Sequence, residues 1–309
     1  MKYIITTIIS VVLLIFSLNI EAQSQQSEID SLVNKMRTAG REWNNYAEPL
    51  IKIGEPAVPK LIENARDTSL SQWNRRILIT TLNSIHSERW VEPALEILLD
   101  EKETSEIRNR VTAGLSGFDL SEVKNELWDL FTGFENQFYK SNIANLLLSA
   151  DTAMAYKAFY ELYHTQDGHI QRNALQKLVL LRPDNSTHWY LKALQGEDWM
   201  TANLAMDSLI NASSFTAGPL ISVYRLPGVN DEVQWRIVYV LAQRFNSAYI
   251  PFFCEALKNK SWLVRTESAI ALTRLNKPEV LKQMTSMQND SSEIVQNNAR
   301  WVIRCLNEK

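Results

Sequence analysis

The sequence predicts an all-α fold: a solenoid of about nine helical hairpins stacked into a right-handed superhelix. Three observations carry this. An apolar pattern recurs with a period near 31 residues, a second amphipathic stretch precedes each copy, and Asp and Pro residues fall between the two stretches as helix punctuation.

The recurring pattern is an apolar residue followed by a polar one, with further apolar residues four and eight positions after the first. It reads Ile107-Arg108 with Val111 and Leu115, Ile170-Gln171 with Ala174 and Leu178, and Val233-Gln234 with Ile237 and Leu241. It returns as Val264-Arg265 with Ser268 and Leu272, and as Val295-Gln296 with Ala299 and Ile303. Weaker copies surround Arg75, Lys140 and Ala202. Taking the second residue as a phase marker gives positions 75, 108, 140, 171, 202, 234, 265 and 296, at intervals of 31 to 33. A four-residue spacing places the apolar residues on one helix face. A constant period over eight copies is what stacked two-helix units require, because each unit buries its apolar face only against its neighbours.

The preceding stretches define a helix A in each unit, at Pro56–Ala65, Val91–Leu99, Val123–Phe131, Ala153–Tyr163, Trp189–Leu194 and Val280–Met287. The marker lies on helix B. Asp67, Asp100, Asp167, Asp198, Asp231 and Asp290 stand a few residues before their markers, where a carboxylate can accept from the free N–H groups of a helix start. Pro56, Pro93, Pro183, Pro219, Pro251 and Pro278 gather near the starts of helix A, where a missing N–H costs nothing. An irregular first hairpin spans about Glu28 to Ile53.

The segment Leu50-Ile51-Lys52-Ile53-Gly54-Glu55-Pro56-Ala57-Val58-Pro59-Lys60-Leu61-Ile62 resembles the junction of HEAT repeats. It is closest in kind to the short class related to phycobilisome lyases. Trp262 to Leu275, with its Val-Arg pair and small residues, is similar to helix B of that family. The resemblance spans about residues 40 to 306 and weakens over 120 to 225. It implies an architecture, and a groove of the kind that binds partners. The Trp-Leu-Gly-Tyr pattern of tetratricopeptides and the Thr-Pro-Leu-His of ankyrins are missing.

At the N-terminus, Lys2 precedes an apolar run from Tyr3 to Phe16, and Ile20 and Ala22 suit signal-peptidase cleavage after Ala22. The expected organisation is therefore a signal peptide over 1–22 and one solenoid domain over 23–309, beginning with the polar, unstructured Gln23 to Ser27. That implies a periplasmic or secreted protein with no stable membrane span after cleavage; an uncleaved anchor is the alternative. In such a compartment Cys254 and Cys305 could pair, but both sit among helical apolar residues of different hairpins and read as core thiols.

A formal net charge of −3 argues against nucleic acid as a partner. No nucleophile elbow, P-loop, dinucleotide fingerprint or zinc-protease helix is present, so no catalytic residue, cofactor or metal is expected. His164 and His169 flank Asp167, but five residues apart in a loop they read as surface or capping residues. The pairs Asp100-Glu101 and Asp231-Glu232 could serve an enzyme or a glycan- or small-molecule-binding groove, as in lyase-like or α/α-toroid proteins, yet capping explains them.

The favoured reading is an exported, non-enzymatic scaffold that holds a protein partner along its concave groove. The positions one and five after each marker would line that groove. They are polar in the first five copies and include Trp235, Tyr239, Ile270 and Trp301 in the last three. These four form the expected apolar hot spot, with Arg76, Arg172 and Arg236 as its polar counterpart.

Overall fold

The computed structural model describes residues 22–308. Apart from Ala22, the expected signal peptide lies outside the described residues. The polar linker expected at Gln23–Ser27 is helical instead: α1 covers 22–36, exposed over those residues and first buried at Ile29.

The chain divides into two compact units between Ala158 and Phe159. The first contains α1, α2 (Asn44–Ile53), α3 (Val58–Ala65), α4 (Gln72–Ile85), α5 (Val91–Leu99), α6 (Ser105–Leu115), α7 (Lys124–Gly133) and α8 (Gln137–Ala150). The division falls inside α9 (Thr152–Tyr163). The second unit continues with α10 (Gly168–Leu181), α11 (Ser186–Leu194), α12 (Trp199–Asn211), α13 (Gly218–Tyr224) and α14 (Asp231–Gln243). It ends with α15 (Ile250–Ala256), α16 (Trp262–Leu275), α17 (Pro278–Met287) and α18 (Glu293–Asn307). The described residues contain no strand, and their helices alternate as A and B through nine consecutive pairs.

From α4 onward every phase marker is the fourth residue of an even-numbered helix. In the first unit α3, α5 and α7 pack on α4, α6 and α8, while α2, α4, α6 and α8 stack in series. In the second, α11, α13, α15 and α17 pack on α12, α14, α16 and α18, and the B helices from α10 to α18 stack in turn. This is the α-solenoid expected from the period.

Helix-B positions 3, 7 and 11 form the buried seam, as in Ile107, Val111 and Leu115 of α6 or Val233, Ile237 and Leu241 of α14. Each large aliphatic side chain buried there contributes about 1.5–3 kcal/mol, against about 0–1 kcal/mol for an exposed ion pair. The seam therefore holds the stack, and the polar contacts set its register. Gly114 marks a close approach: a Cβ there would strike Asn83 Oδ1 and lie 2.6 Å from Trp90 Nε1, two atoms that form a 2.9 Å hydrogen bond. In α18, Arg300 and Arg304 are exposed at positions 8 and 12, where α14 buries Val238 and Ala242.

Helix-B capping is more varied than the Asp spacing suggested. Asp167 and Asp198 do accept from backbone N–H groups at the starts of α10 and α12. Ser71, Thr104, Asn136 and Asn230 perform the same role for α4, α6, α8 and α14. Asp231 instead lies inside α14, and Asp67, Asp100 and Asp290 accept from the N–H two residues on, within the connecting loops. Of the prolines, Pro219, Pro251 and Pro278 occupy the first or second position of helix A, whereas Pro56 and Pro183 lie in the 3-10 turns before it.

The marker side chain has a use the periodicity alone did not reveal: it donates to the last carbonyls of helix A in its own hairpin. Arg75 Nε reaches Ala65 O at 2.9 Å, Arg108 Nε reaches Leu98 O at 2.8 Å, and Gln234 Nε2 reaches Tyr224 O at 3.0 Å. Gln171 donates to Thr165 O, Arg265 to Asn259 O and Lys260 O, and Gln296 to Asp290 O, just beyond helix A. Ala202 carries no donor. At its hairpin the next B helix substitutes: Arg236 Nη1 reaches Leu194 O at 2.7 Å and Gly196 O at 2.9 Å, from a side chain only 2% exposed.

Cys254 on α15 and Cys305 on α18 are free, half-buried thiols, and burial pushes Cys254 up to about 11. Arg236→Met should cost about 2–4 kcal/mol in urea unfolding, because it leaves two carbonyls and Glu232 without their buried partner. Arg172→Ala, which breaks a part-exposed pair with Asp198, should cost about 1 kcal/mol or less.

Candidate functional site

Helix-B apolar residues beyond the 3-7-11 seam divide in two: those at positions 8 and 10, such as Ile79, Val238 and Val240, are buried, and those at the helix start are not. Positions 1 and 2 of helix B, in the turn just after the cap, expose Trp73, Phe138, Trp199, Met200, Trp262, Leu263 and Ile294. The most exposed of the tryptophans is Trp262, at 65%. The feature recurs at the same place in the repeat within each unit.

In the second unit these residues meet part of the predicted hot spot. Position 5 lies one helical turn below position 1, so Trp235 of α14 stacks on Trp199 of α12, with ring centroids 6.1 Å apart and planes 21° apart. Tyr239, one turn further along α14, is 5.6 Å from Trp235. The Arg236 guanidinium supports the Trp199 ring at 5.8 Å. Beside this cluster, a cleft of about 830 Å³ runs between the starts of α14 and α16. Trp235, Trp262 and Leu263 provide its apolar lining, and Asp231, Glu232, Lys260 and Arg265 its polar lining. Its charges are largely engaged: Glu232 pairs with Arg236 at 2.6 Å, and Lys260 lies 3.5 Å from Asp231 Oδ1.

The remaining predicted residues are placed less favourably for a common site. Ile270 is half-buried on α16 and Trp301 is 38% exposed on α18, and neither joins the ring contacts of Trp235. Arg76 pairs with Glu106 and Arg172 with Asp198. Arg236 is corrected from a groove residue to a buried one, since its guanidinium caps α11. Trp199, Trp262 and the other position-1 and position-2 residues were missed. The signal was present, in that each is an apolar residue within two positions of a Ser, Asn or Asp cap and out of phase with the seam.

A second cluster lies between α9 and α11, within the second unit. Lys192 Nζ stands 5.6 Å from the Tyr160 centroid, 5.6 Å from Tyr163 and 5.5 Å from Trp189, over three rings at an exposed edge of the contact with His164. Its ammonium also lies 2.9 Å from His164 Nε2. A neighbouring cleft of about 930 Å³ is lined by Tyr163, His164, Gln166, Lys192, Glu197 and Asp198 among others. The Thr201 hydroxyl, its amide and the Arg172 guanidinium hold Asp198 below the ordinary carboxylate value. His169 is exposed and does not share a ligand position with His164; among the described residues no three His, Cys, Asp or Glu side chains gather as a metal site.

Residues 220–304 match HEAT repeats. No curated protein matches the sequence. Among solved structures, the chain is similar to human deoxyhypusine hydroxylase in complex with glycerol, at 15% identity and a TM-score of 0.36, covering 94% of this chain and 100% of that one. It is also similar to the YibA protein of E. coli, at 14% identity and a TM-score of 0.44, covering 86% and 98% of the two chains. An engineered protein aligns at 12% identity and a TM-score of 0.23, covering 81% and 96%.

The Tyr163 phenol is pushed up to about 12 by burial, from an ordinary value of 10.0. The neutral phenol is thereby favoured in the folded state, so its contribution to stability is complete below pH 10.0 and is lost as pH rises towards 12. Ultraviolet titration of the tyrosinate band should show Tyr163→Phe removing an absorbance step near pH 12.

Proposed function

We propose that this chain, whose C-terminal hairpins are HEAT repeats, is an exported scaffold that holds a protein partner on the starts of its B helices and performs no covalent step. The observation that carries the reading is the recurrence, within the second unit, of large apolar side chains at positions 1 and 2 of α12, α16 and α18, from Trp199 to Ile294. Exposed tryptophan stabilises a monomer little, whereas large aromatics at the centre of an interface dominate binding. Export rests on the apolar run behind Lys2. Among the described residues no helix is long and apolar enough to cross a membrane.

One observation favours a second reading, a small hydroxylated ligand or glycan in the cleft between Trp235 and Trp262. Asp231 Oδ1 is shielded from solvent and accepts no hydrogen bond, meeting the exposed Lys260 ammonium as an ion pair at 3.5 Å, which keeps acceptor capacity beside two aromatic faces.

A photo-crosslinking residue placed at Met200 or Leu263, in the full chain expressed in its native host, should trap a defined protein adduct. The same residue at Glu279 or Lys282, exposed on helix α17, should not. Trp199→Ser with Trp262→Ser should reduce the adduct at least tenfold and change the unfolding free energy by about 1 kcal/mol or less. Equal labelling at all four positions would reject the strip as the binding face. Absence of protein adducts, with a glycan or small molecule retained by the wild type and lost on Asp231→Asn, would move the assignment to the cleft.

A further inference from the structure

Neighbouring A helices are joined at their ends by rungs one repeat apart in sequence. Arg37 pairs with Asp67 at 2.9 Å, Arg66 with Glu96, and Lys124 lies 3.6 Å from Asp151. Arg225 pairs with Glu255 at 2.5 Å and Lys258 with Asp290 at 2.8 Å. Each of these joins opposite charges. The rung from α9 to α11 differs, because it joins Lys192 Nζ to His164 Nε2 at 2.9 Å.

That contact depends on one protonation state. His164 Nδ1 lies 2.7 Å from Tyr160 O, so this nitrogen carries the proton and donates to the carbonyl. Nε2 then presents its lone pair to the ammonium, which donates. An imidazolium would have N–H groups on both nitrogens and two cations in direct contact. Histidine is the side chain that changes charge between pH 5 and 8.

We propose that His164 and Lys192 form an acid-sensitive latch between α9 and α11. With His164 neutral, Lys192 closes the latch and fills the box of Tyr160, Tyr163 and Trp189. When His164 takes a proton at Nε2, the acceptor is lost and repulsion drives Lys192 out, uncovering the three rings and widening the cleft beside them. The other titratable groups around the latch are Tyr163, Glu161, His188, Asp198 and Glu197. Tyr163 remains neutral across this range, Glu161 and His188 lie on the two helices themselves, and across the cleft Asp198 is engaged by Arg172 and Thr201. Glu197 lines the cleft and is exposed, so it offers the expelled ammonium a destination. The latch therefore holds α9 to α11 with the imidazole neutral and is lost on its protonation.

The test is hydrogen exchange on the full chain between pH 7.5 and 5.0, corrected for intrinsic exchange rates and read in peptides covering Tyr156–Gln195. The wild type should lose protection there at least fivefold on acidification, while peptides around the Arg225–Glu255 rung change less than twofold. His164→Gln keeps a neutral acceptor and should abolish the pH dependence. Lys192→Met keeps the box filled without charge and should abolish it too. Lys192→Glu should reverse its sign, because imidazolium and carboxylate attract. Should wild type and His164→Gln lose protection equally, or should the wild type lose none, the latch is rejected. The result is independent of the partner-binding strip, since none of these substitutions touches a position-1 or position-2 residue of helix B.

Discussion

An α-helix leaves its last carbonyls without intrahelical partners, and a stack of short hairpins multiplies that deficit once per repeat. In this chain the fourth residue of helix B resolves it, by reaching back to the end of helix A in the same hairpin. Arg75, Arg108 and Gln234 reach carbonyls of the helix itself, whereas Gln171, Arg265 and Gln296 reach those of the loop just beyond it. Because neutral Gln serves as well as Arg, the repeat requires a long side chain with an N–H donor, and the positive charge is secondary. Ala202 tests the rule from the other side. Where the donor is lacking, Arg236 of the following helix is buried to supply it, at the expense of a desolvated guanidinium tied to Glu232.

With the helix ends satisfied in this way, the two helices of a hairpin are fixed in register, and within each unit the B helices stack in series. Polar rungs between successive repeats then follow from equivalent positions being brought together, as in Arg66 with Glu96 and Arg225 with Glu255. These exposed pairs add little stability individually. Their value is in selecting which neighbouring positions face each other. At one rung of that ladder His164 stands where the others carry Arg or Lys, and Lys192 where they carry a carboxylate, so that contact turns on the protonation of the imidazole.

The same geometry produces the candidate binding surface. Positions 1 and 2 of helix B stand in the turn between the cap and the seam, where a side chain is held by a rigid helix but has no layer above it. Trp199 and Trp262 are therefore presented in fixed positions, and Trp235 is close enough to stack on the first and line a cleft with the second. Ordered aromatic residues lose little conformational freedom on binding, which suits them to carry an interface.

Much of this was legible in the chain. Period and phase alone determined the all-α repeat architecture and the buried faces, because a helix repeats its environment every three to four residues and each hairpin must bury the same stripe; the residues that cap the B helices were read correctly only at Asp167 and Asp198. The sequence also placed Trp235 and Tyr239 together, since they share one helix face four residues apart. What a linear pattern cannot contain is the distance between residues on different helices. Only the tertiary structure decided that Arg236 turns inward to carbonyls some forty residues earlier, that Trp199 stacks on Trp235, and that Lys192 lies against His164. In each case a long side chain had several partners within reach, and packing, by burying some and leaving others in water, selected one.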